Sequence, residues 1–297
     1  MFKKILIIGC GLIGSSILRV VISKKLSKTI FVFEKNKKYR NQIKKINKKI
    51  ILIKNLDKNI QEVNFVIIAT PMSEYKKIIP KLNIFLNNNA LITDVGSTRS
   101  NVGKLIKEQL SKKLNWIMSH PITGSEVSGP KYGNKNLFEK KWCIIIKDKN
   151  KDKLNKVINF WKKAGSKVVL MNSKDHDRIF SITSHLPHLI AYNLIKTAQD
   201  FQKKDKKNII HFSAGGLRDF SRIAASNEIM WRDIFFNNKK NMISAINKFS
   251  KNLNSFKKNI QNSQDKDLRK KLLNSKKVRK QIVQLKQDID KPDFGRE

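Results

Sequence analysis

The sequence has few of the residues that would point away from an ordinary globular protein. Its two cysteines, Cys10 and Cys143, are too few for a disulfide framework or a cysteine-ligated zinc site, and they fit a reducing cytoplasm. No apolar run approaches the roughly 20 residues that a helix needs to cross a bilayer, which excludes a membrane-spanning protein. With 297 residues, of which 40% are hydrophobic, the chain is long enough to bury a sizeable core.

Acidic residues are also scarce, since 23 Asp and Glu stand against 63 Lys and Arg and the net charge is +40. This charge raises the alternative of a basic nucleic-acid-binding protein. However, only ten of the basic residues are Arg, the residue that makes the forked contacts to bases and phosphates, and Lys occurs in every segment. We therefore interpret the charge as a solvated surface without specific nucleic-acid binding, whose positive field favours a small anionic substrate.

Strands and helices alternate in the first part of the chain. Runs of β-branched residues bounded by turn residues are typical of strands that are buried on both faces. We expect such strands at 4–8, 29–33, 50–53, 64–69, 90–95, 141–146 and 167–171. Helices are expected between them, at 12–25, from 37, at 74–85 and at 152–164. This alternation predicts an α/β fold with a doubly wound parallel sheet.

After residue 172 the pattern is helical. Helices are expected at 175–202, 208–212, 217–225, 229–249 and 265–286. We therefore predict two domains, 1–172 and 173–297, of which the second is all helical. Its apolar stripes exceed what packing within one chain covers, which predicts a homodimer built from this half. The stripes comprise Ile179, Ile182, Leu186, Leu189 and Ile190, and then Ile243, Ile246 and Phe249.

A glycine-rich turn follows the first predicted strand. Gly9, Gly11 and Gly14 have the G-x-G-x-x-G spacing of a dinucleotide site, with Leu12 and Ile13 at the start of the helix that would face the pyrophosphate. Glu34 lies 20 residues after Gly14, at the end of the second strand, where a carboxylate binds the ribose hydroxyls. The sequence therefore predicts a Rossmann-type dinucleotide-binding domain.

The cofactor preference follows from Glu34, whose carboxylate favours NAD and repels the 2′-phosphate of NADP. NADP stays possible, because Lys35, Lys37 and Lys38 follow directly. Thr70 and Pro71 end the fourth strand, at the carboxyl edge where ligands bind in an open α/β sheet.

Candidate chemistry lies in three further segments. His120 belongs to segment 119–130, which we expect to be a loop at a strand end, where an imidazole is suited to polarise a hydroxyl. His185 and His188 lie one turn apart, and Pro187 between them is expected to disrupt a helix. A metal site with Asp175, His176 and Asp177 is the alternative for this pair, but the spacing is not that of zinc, and we predict no metal.

The third segment carries arginines. Arg218 and Arg222 lie one turn apart on a predicted helix, and Asp219 lies three residues before Arg222. This pattern indicates either a surface ion pair or a fork that binds a carboxylate.

Taken together, these segments resemble the prephenate/arogenate dehydrogenase family of tyrosine biosynthesis. The matching segments are GCGLIGSS at 9–16, ATPMSEY at 69–75, DVGSTR at 94–99, SHPITGSEVSGP at 119–130, DHDRIFSITSHLPH at 175–188 and GGLRDFSRIAASNEIMWRDIF at 215–235. The resemblance implies a dinucleotide-binding domain followed by a helical dimerisation domain. It also implies NAD-dependent oxidative decarboxylation of prephenate to 4-hydroxyphenylpyruvate, or of arogenate to tyrosine. β-Hydroxyacid dehydrogenases have a similar layout, but their catalytic Lys motif is missing.

The resemblance also assigns roles to individual residues. His120 matches the catalytic histidine that hydrogen-bonds the ring 4-hydroxyl, Ser97 matches a hydroxyl that orients it, and Arg222 matches the arginine that binds a carboxylate. The positions that match the substrate pocket and its gate are Ser125, Glu126, His185, His188 and Asp219. The resemblance adds Gly96 to the cofactor site.

Overall fold

Six parallel strands form the larger sheet of the computed structural model, which describes residues 2–205 and 208–285. The strands are β1 (Phe2–Ile8), β2 (Ser27–Phe33), β3 (Ile51–Ile53), β4 (Phe65–Ile68), β5 (Leu91–Asp94) and β6 (Asn115–Ile117). Their order is β3-β2-β1-β4-β5-β6, and all neighbours run parallel. The doubly wound sheet is therefore confirmed.

Helices cover both faces of this sheet. They are α1 (Leu12–Ser23), α2 (Lys37–Lys44), α3 (Tyr75–Phe85), α4 (Ser100–Gln109) and α5 (Lys151–Lys163). In β1, Ile5 and Ile7 belong to one apolar cluster and Leu6 and Ile8 to the other, and all four are fully buried. A strand that faces two cores explains the unbroken apolar sequence.

A second, three-stranded sheet comprises β7 (Ser119–Pro121), β8 (Trp142–Ile146) and β9 (Lys167–Met171). β7 pairs antiparallel with β8, and β8 pairs parallel with β9. The prediction that segment 119–130 is a loop from its first residue is therefore wrong for its first three residues. Ser-His-Pro carries no strand signal of its own, and the strand forms because it pairs with the buried run of β8.

The remainder is helical, as predicted. Its elements are α6 (Ser173–Phe180), a π-turn (Ser181–His185), α7 (Leu186–Asp205), a 3₁₀ turn (Ile209–Phe212), α8 (Gly215–Ala224), α9 (Glu228–Asn237), α10 (Lys239–Gln261) and α11 (Asp265–Gln284). The last residue of the helix predicted at 265–286 lies outside the described residues. Among the described residues, no helix combines the length and apolar character that crossing a membrane requires.

Three details of the helical half differ from the predictions. The helix predicted at 229–249 is divided at Asn238, whose side chain donates to the carbonyl of Asp177. The segment at 208–212 is a 3₁₀ turn. Pro187 is the second residue of α7, which continues directly from the π-turn, so the proline does not end the helix there. The irregularity predicted near Pro187 lies one turn earlier, in the π-turn, a distortion that is frequent at functional sites.

Candidate active site

The glycine-rich turn after β1 has the shape of a phosphate cradle. Gly9 has a φ of +82°, and a Cβ on Gly14 would lie 2.1 Å from the Gly9 carbonyl oxygen, so α1 packs directly on the turn. At Gly11 the space is open, because a Cβ there would have no described atom within 4 Å. Gly11 begins α1 without a side-chain cap, which leaves the first amides, including those of Leu12 and Ile13, available to an anion.

Glu34 lies beside this turn. One carboxylate oxygen accepts a hydrogen bond from the Cys10 amide and the other from the Asn36 amide, each at 2.8 Å. The carboxylate is thereby held in place, and its remaining lone pairs can accept the two ribose hydroxyls. Lys35, which could have favoured a 2′-phosphate, forms an ion pair with Glu74. This geometry supports the predicted preference for NAD.

Thr70 and Pro71 follow β4 at the same edge. Thr70 Cγ2 would lie 2.6 Å from a Cβ on Gly9, so Thr70 directly borders the glycine turn. Its buried hydroxyl has no hydrogen-bond partner among the described residues. Pro71 begins the short 3₁₀ turn before α3. The structure thus brings these two residues beside the predicted cofactor site.

A fully buried ion pair shapes the neighbouring loop between β5 and α4. Asp94 accepts from Arg99 Nη1 at 3.0 Å and Nη2 at 2.8 Å, and its Oδ2 also accepts from the Tyr75 hydroxyl and the Gly96 amide. A Cβ on Gly96 would lie 2.3 Å from Arg99 Nη2. Glycine is therefore required at 96 to close the loop that presents Ser97.

His120 is held on β7 by the residue before it. The Ser119 hydroxyl donates to the Asp94 carbonyl at 2.6 Å and accepts from Trp161 Nε1 at 2.9 Å. His120 Nδ1 lies 2.9 Å from His176 Nε2. His176 Nδ1 in turn lies 2.9 Å from Asp177 Oδ1. The candidate catalytic histidine therefore belongs to a chain of three side chains that runs into α6.

His185 and His188 lie on either side of the end of the π-turn. His185 is 1% exposed, and its Nδ1 accepts from the Asn238 amide at 3.1 Å. Its Nε2 has no hydrogen-bond partner within the part of the chain that the structure describes. His188 Nδ1 donates to the Ser184 carbonyl at 2.9 Å, and its ring stacks on Trp231 at 3.7 Å. Trp231 is buried and supports this histidine.

The predicted gate residues meet at Arg222 on α8. Arg222 Nη1 lies 3.9 Å from Glu126 Oε2, and Nη2 lies 4.0 Å from Asp219 Oδ1. Ser125 donates to the same Glu126 oxygen at 2.9 Å. Arg222 Nε is buried without a hydrogen-bond partner among the described residues. These long ion pairs leave the guanidinium able to form a shorter, forked contact with a carboxylate.

Burial sets the charge of the histidines. Burial, followed by the field of His176 and of Arg99, lowers the pKa of His120 well below its ordinary value, although the residue as a whole is partly exposed. Burial likewise lowers the pKa of His185 to about 4, and it also lowers the pKa of His176 and of His188. All four rings are therefore neutral at pH 7, so His120 can accept a proton.

From the sequence, His176 and Asp177 were considered only as candidate metal ligands, and the contact of His176 with His120 was not predicted. Two adjacent titratable residues on a helix do not reveal a partner 56 positions earlier in the chain. Among the described residues, no group of three His, Cys, Asp or Glu side chains is arranged to hold a metal ion.

Two open cavities, of about 600 and 490 Å³, lie away from these residues. Asn88 and Lys113, which precede β5 and β6, border the first cavity, and Asn64 and Leu91, just before β4 and at the start of β5, border the second. Both cavities therefore lie at the amino edge of the large sheet. Their linings hold lysines, asparagines and apolar side chains, but no histidine or carboxylate. Ligands of open α/β sheets bind at the opposite, carboxyl edge, where the candidate residues gather.

Comparison with known proteins decides the family. Residues 21–170 match the family model of the prephenate dehydrogenase nucleotide-binding domain, and residues 172–275 match that of the prephenate dehydrogenase dimerization domain. The chain belongs to the prephenate dehydrogenase family.

Individual relatives in this family cover almost the whole chain. The cyclohexadienyl dehydrogenase of Zymomonas mobilis is 30% identical over 291 residues, which are 97% of this chain and 98% of the relative. The prephenate dehydrogenase of Lactococcus lactis is 32% identical over 84% of this chain and 69% of its own length. The crystal structure of prephenate dehydrogenase from Aquifex aeolicus with hydroxyphenyl propionate and NAD+ has a TM-score of 0.88 at 30% identity, covering 95% of this chain and 99% of that one.

Membership of the prephenate dehydrogenase family confirms the predicted family, the fold class and the oxidoreductase class. It also favours the enzyme over the nucleic-acid-binding alternative. The roles of the individual residues stay predictions, to which the geometry described above now gives specific contacts.

Proposed function

We propose that this chain is an NAD-dependent dehydrogenase that oxidatively decarboxylates prephenate to 4-hydroxyphenylpyruvate, or arogenate to tyrosine. The observation that carries the proposal is His120, a neutral histidine on β7. The neighbouring Ser119 anchors β7 to the carboxyl end of β5, at the edge of the large sheet that presents the glycine turn and Glu34. The relative from Aquifex aeolicus, with a TM-score of 0.88, holds NAD+ and hydroxyphenyl propionate, a phenol with a carboxylate side chain. That ligand resembles the phenolic product of the proposed reaction.

The glycine turn and Glu34 fit NAD. Gly9, Gly11 and Gly14 would bring the backbone against the pyrophosphate, and Glu34 would bind the ribose hydroxyls. Thr70, Pro71 and Gly96 border the same edge. When it is bound, NAD supplies the acceptor for the hydride that leaves the ring carbon bearing the hydroxyl.

His120 is the proposed proton acceptor. As the ring carbon loses hydride, its hydroxyl becomes a carbonyl, and His120 takes the hydroxyl proton. Ser97, in the loop closed by Gly96, is proposed to orient the same hydroxyl. The bond to the ring carboxylate then breaks with loss of carbon dioxide, its electron pair moves through the ring to the carbonyl oxygen, and that oxygen takes back the proton from His120 to give the phenol. Formation of the aromatic ring makes the reaction irreversible.

Arg222 is the proposed carboxylate site. Its partners Glu126 and Asp219 lie at 3.9 and 4.0 Å, so a substrate carboxylate can replace either of them at shorter range. Ser125 and Glu126 would then act as the gate at the entrance. His185 and His188 are proposed to contact the substrate from the π-turn. A fixed carboxylate aligns the ring with His120, and such alignment contributes strongly to catalysis.

We propose a homodimer built from residues 173–297, with residues 1–172 forming the dinucleotide-binding domain. The match of residues 172–275 to a dimerization domain supports this arrangement. A cytoplasmic location is part of the proposal, because the two free cysteines, Cys10 and Cys143, fit a reducing compartment.

An assay of the purified protein tests the proposed function. Prephenate and arogenate are each supplied with NAD or NADP, while reduced cofactor and carbon dioxide are measured. We expect reduced cofactor and carbon dioxide to form in equal amounts, and the reaction to be more efficient with NAD than with NADP. Formation of neither product with any pairing would overturn the proposal. Equal efficiency with NADP would overturn only the role given to Glu34.

A further inference from the structure

We propose that His176 and Asp177 are positioning residues that fix the tautomer of His120, so that its Nδ1 is protonated and its Nε2 is free to accept the substrate proton. This inference rests on the proposed function for the identity of the proton donor. It rests on the described contacts alone for the state of the ring. It assigns a role to two residues of α6 that make no proposed contact with substrate.

The first step is the state of Asp177. Its Oδ1 accepts from the Arg99 amide and its Oδ2 from the Ser100 amide, each at 2.8 Å. These amides lie at the start of α4, where the helix dipole favours a negative charge. Burial would raise the pKa of Asp177, but the hydrogen bonds from His176 and Ser100 outweigh burial and lower it. Asp177 is therefore an ionised, acceptor-only group.

The second step fixes His176. Because Asp177 Oδ1 can only accept, the contact of 2.9 Å requires a proton on His176 Nδ1. A neutral imidazole carries one proton, so Nε2 of His176 holds a lone pair. His176 is fully buried between these partners.

The third step transfers the constraint to His120. Its Nδ1 lies 2.9 Å from His176 Nε2, which accepts, so His120 Nδ1 must donate. In the neutral ring this leaves the lone pair on Nε2. When Nε2 takes a proton from the substrate, His120 becomes an imidazolium that still donates to His176, and the Asp177 carboxylate stabilises the new charge.

The surroundings hold the chain of side chains in this arrangement. The Phe180 ring lies 4.5 Å from the His176 ring and 5.2 Å from the His120 ring, and it shields their hydrogen bond. Asp177 also connects two parts of the site, since the amides that it binds follow directly after Ser97 and Thr98. One carboxylate therefore sets both the loop that carries Ser97 and, through His176, the ring of His120.

The tautomer is measured directly by ¹⁵N nuclear magnetic resonance of histidine-labelled protein. The chain has five histidines, so each ring is assigned by single substitutions. At pH 7 and without substrate we expect His120 to carry its proton on Nδ1. In H176L, which removes the acceptor at similar volume, we expect the Nε2-protonated form to appear. In H176Q the amide oxygen can accept from His120 while its nitrogen donates to Asp177, so the wild-type tautomer should persist.

Kinetics supply the second measurement. We expect H176L to lower kcat by about 10- to 100-fold, a part of what general base catalysis contributes, with the KM for NAD unchanged. H176Q should recover most of kcat. Asp175→Asn is the matched control, because Asp175 lies on the exposed side of the same helix, next to His176, and should keep both kcat and the tautomer.

Three outcomes overturn the proposal. They are a wild-type His120 protonated on Nε2, an H176L protein in which tautomer and kcat are unchanged, and a D175N protein that loses as much kcat as H176L. If H176L does not fold, the tautomer of wild-type His120 and the tautomer and kcat of H176Q still test the proposal. Failure of the proposed function gives a different result, because the tautomer is read without turnover.

Discussion

The two halves of the molecule differ in how completely one chain covers its apolar surface. In the large sheet, Ile5 to Ile8 of β1 are all fully buried between two clusters. In the helical half, α8 contains no buried residue, and Phe212 just before it is 83% exposed. The nucleotide-binding half therefore has a complete core of its own, whereas the helical half has apolar surface for a second copy to cover. The proposed site takes residues from both halves.

The largest expected effect tests what the first half contributes. His120→Asn removes the proton acceptor while keeping a polar side chain on β7, so we expect kcat to fall by ~10²–10⁴ with a smaller change in KM. Steady-state kinetics on protein shown to be folded by circular dichroism measure this. A folded variant with near-normal kcat would remove His120 from the mechanism.

The pH dependence of kcat/KM in the wild-type enzyme also tests the role of His120. From sequence alone, a histidine base predicts an acidic limb near neutral pH. Because burial lowers the pKa of His120 well below its ordinary value, the acidic limb of kcat/KM should lie well below pH 6.5.

The next prediction concerns stability in acid, which we expect to depend on the buried His185. The folded pKa of His185 is about 4 and its ordinary value is 6.5, so between these pH values the unfolded chain binds more protons. The stabilising contribution is therefore complete above pH 6.5 and is lost as the pH falls towards 4. A shift of this size corresponds to about 3 kcal/mol.

Urea unfolding at several pH values measures this loss. His185→Gln should flatten the fall in unfolding free energy between pH 7 and pH 4. An unchanged slope would show that His185 is not the group that takes up the proton. His211, whose side chain is exposed on the 3₁₀ turn, provides the control substitution to Gln, which should leave the slope as it is.

Arg222 tests what the second half contributes. Arg222→Ala should mainly raise the KM for substrate. The rise should correspond to a loss of ~1.5–3 kcal/mol in binding free energy if one charge-assisted hydrogen bond is lost. Lys at this position should restore only part of the affinity, because it keeps the charge without the planar fork. A fall in kcat at unchanged KM would instead place Arg222 in the chemical step.

Particular residues show which parts of the fold and of the candidate site could be predicted from the sequence. Strands β1 to β5 of the large sheet were predictable because each contains a continuous apolar run, and the glycine turn because it has a fixed spacing to Glu34. Strand β7 was not, because Ser119, His120 and Pro121 become a strand only through pairing with β8. The break at Asn238 was missed for a similar reason, since it depends on a hydrogen bond to Asp177, 61 residues earlier. The contact of His176 with His120 likewise depends on how the halves pack, which periodicity does not encode.

The smallest expected effect, and the most direct test of the difference between the halves, is at the exposed face of α10. Ile243 and Ile246 lie one turn apart on this helix and are 49% and 36% exposed, while Met242 and Ala245 are buried. A second copy that covers this side would desolvate any charge placed there. Ile243→Glu should therefore weaken the dimer by about 1–3 kcal/mol and shift it towards monomer at low micromolar concentration, as measured by light scattering. Ile84→Glu on α3, at a site that is 69% exposed in the half with a complete core, should leave the mass unchanged. Equal effects at both positions, or none at Ile243, would mean that this side of α10 is not the surface that joins two chains.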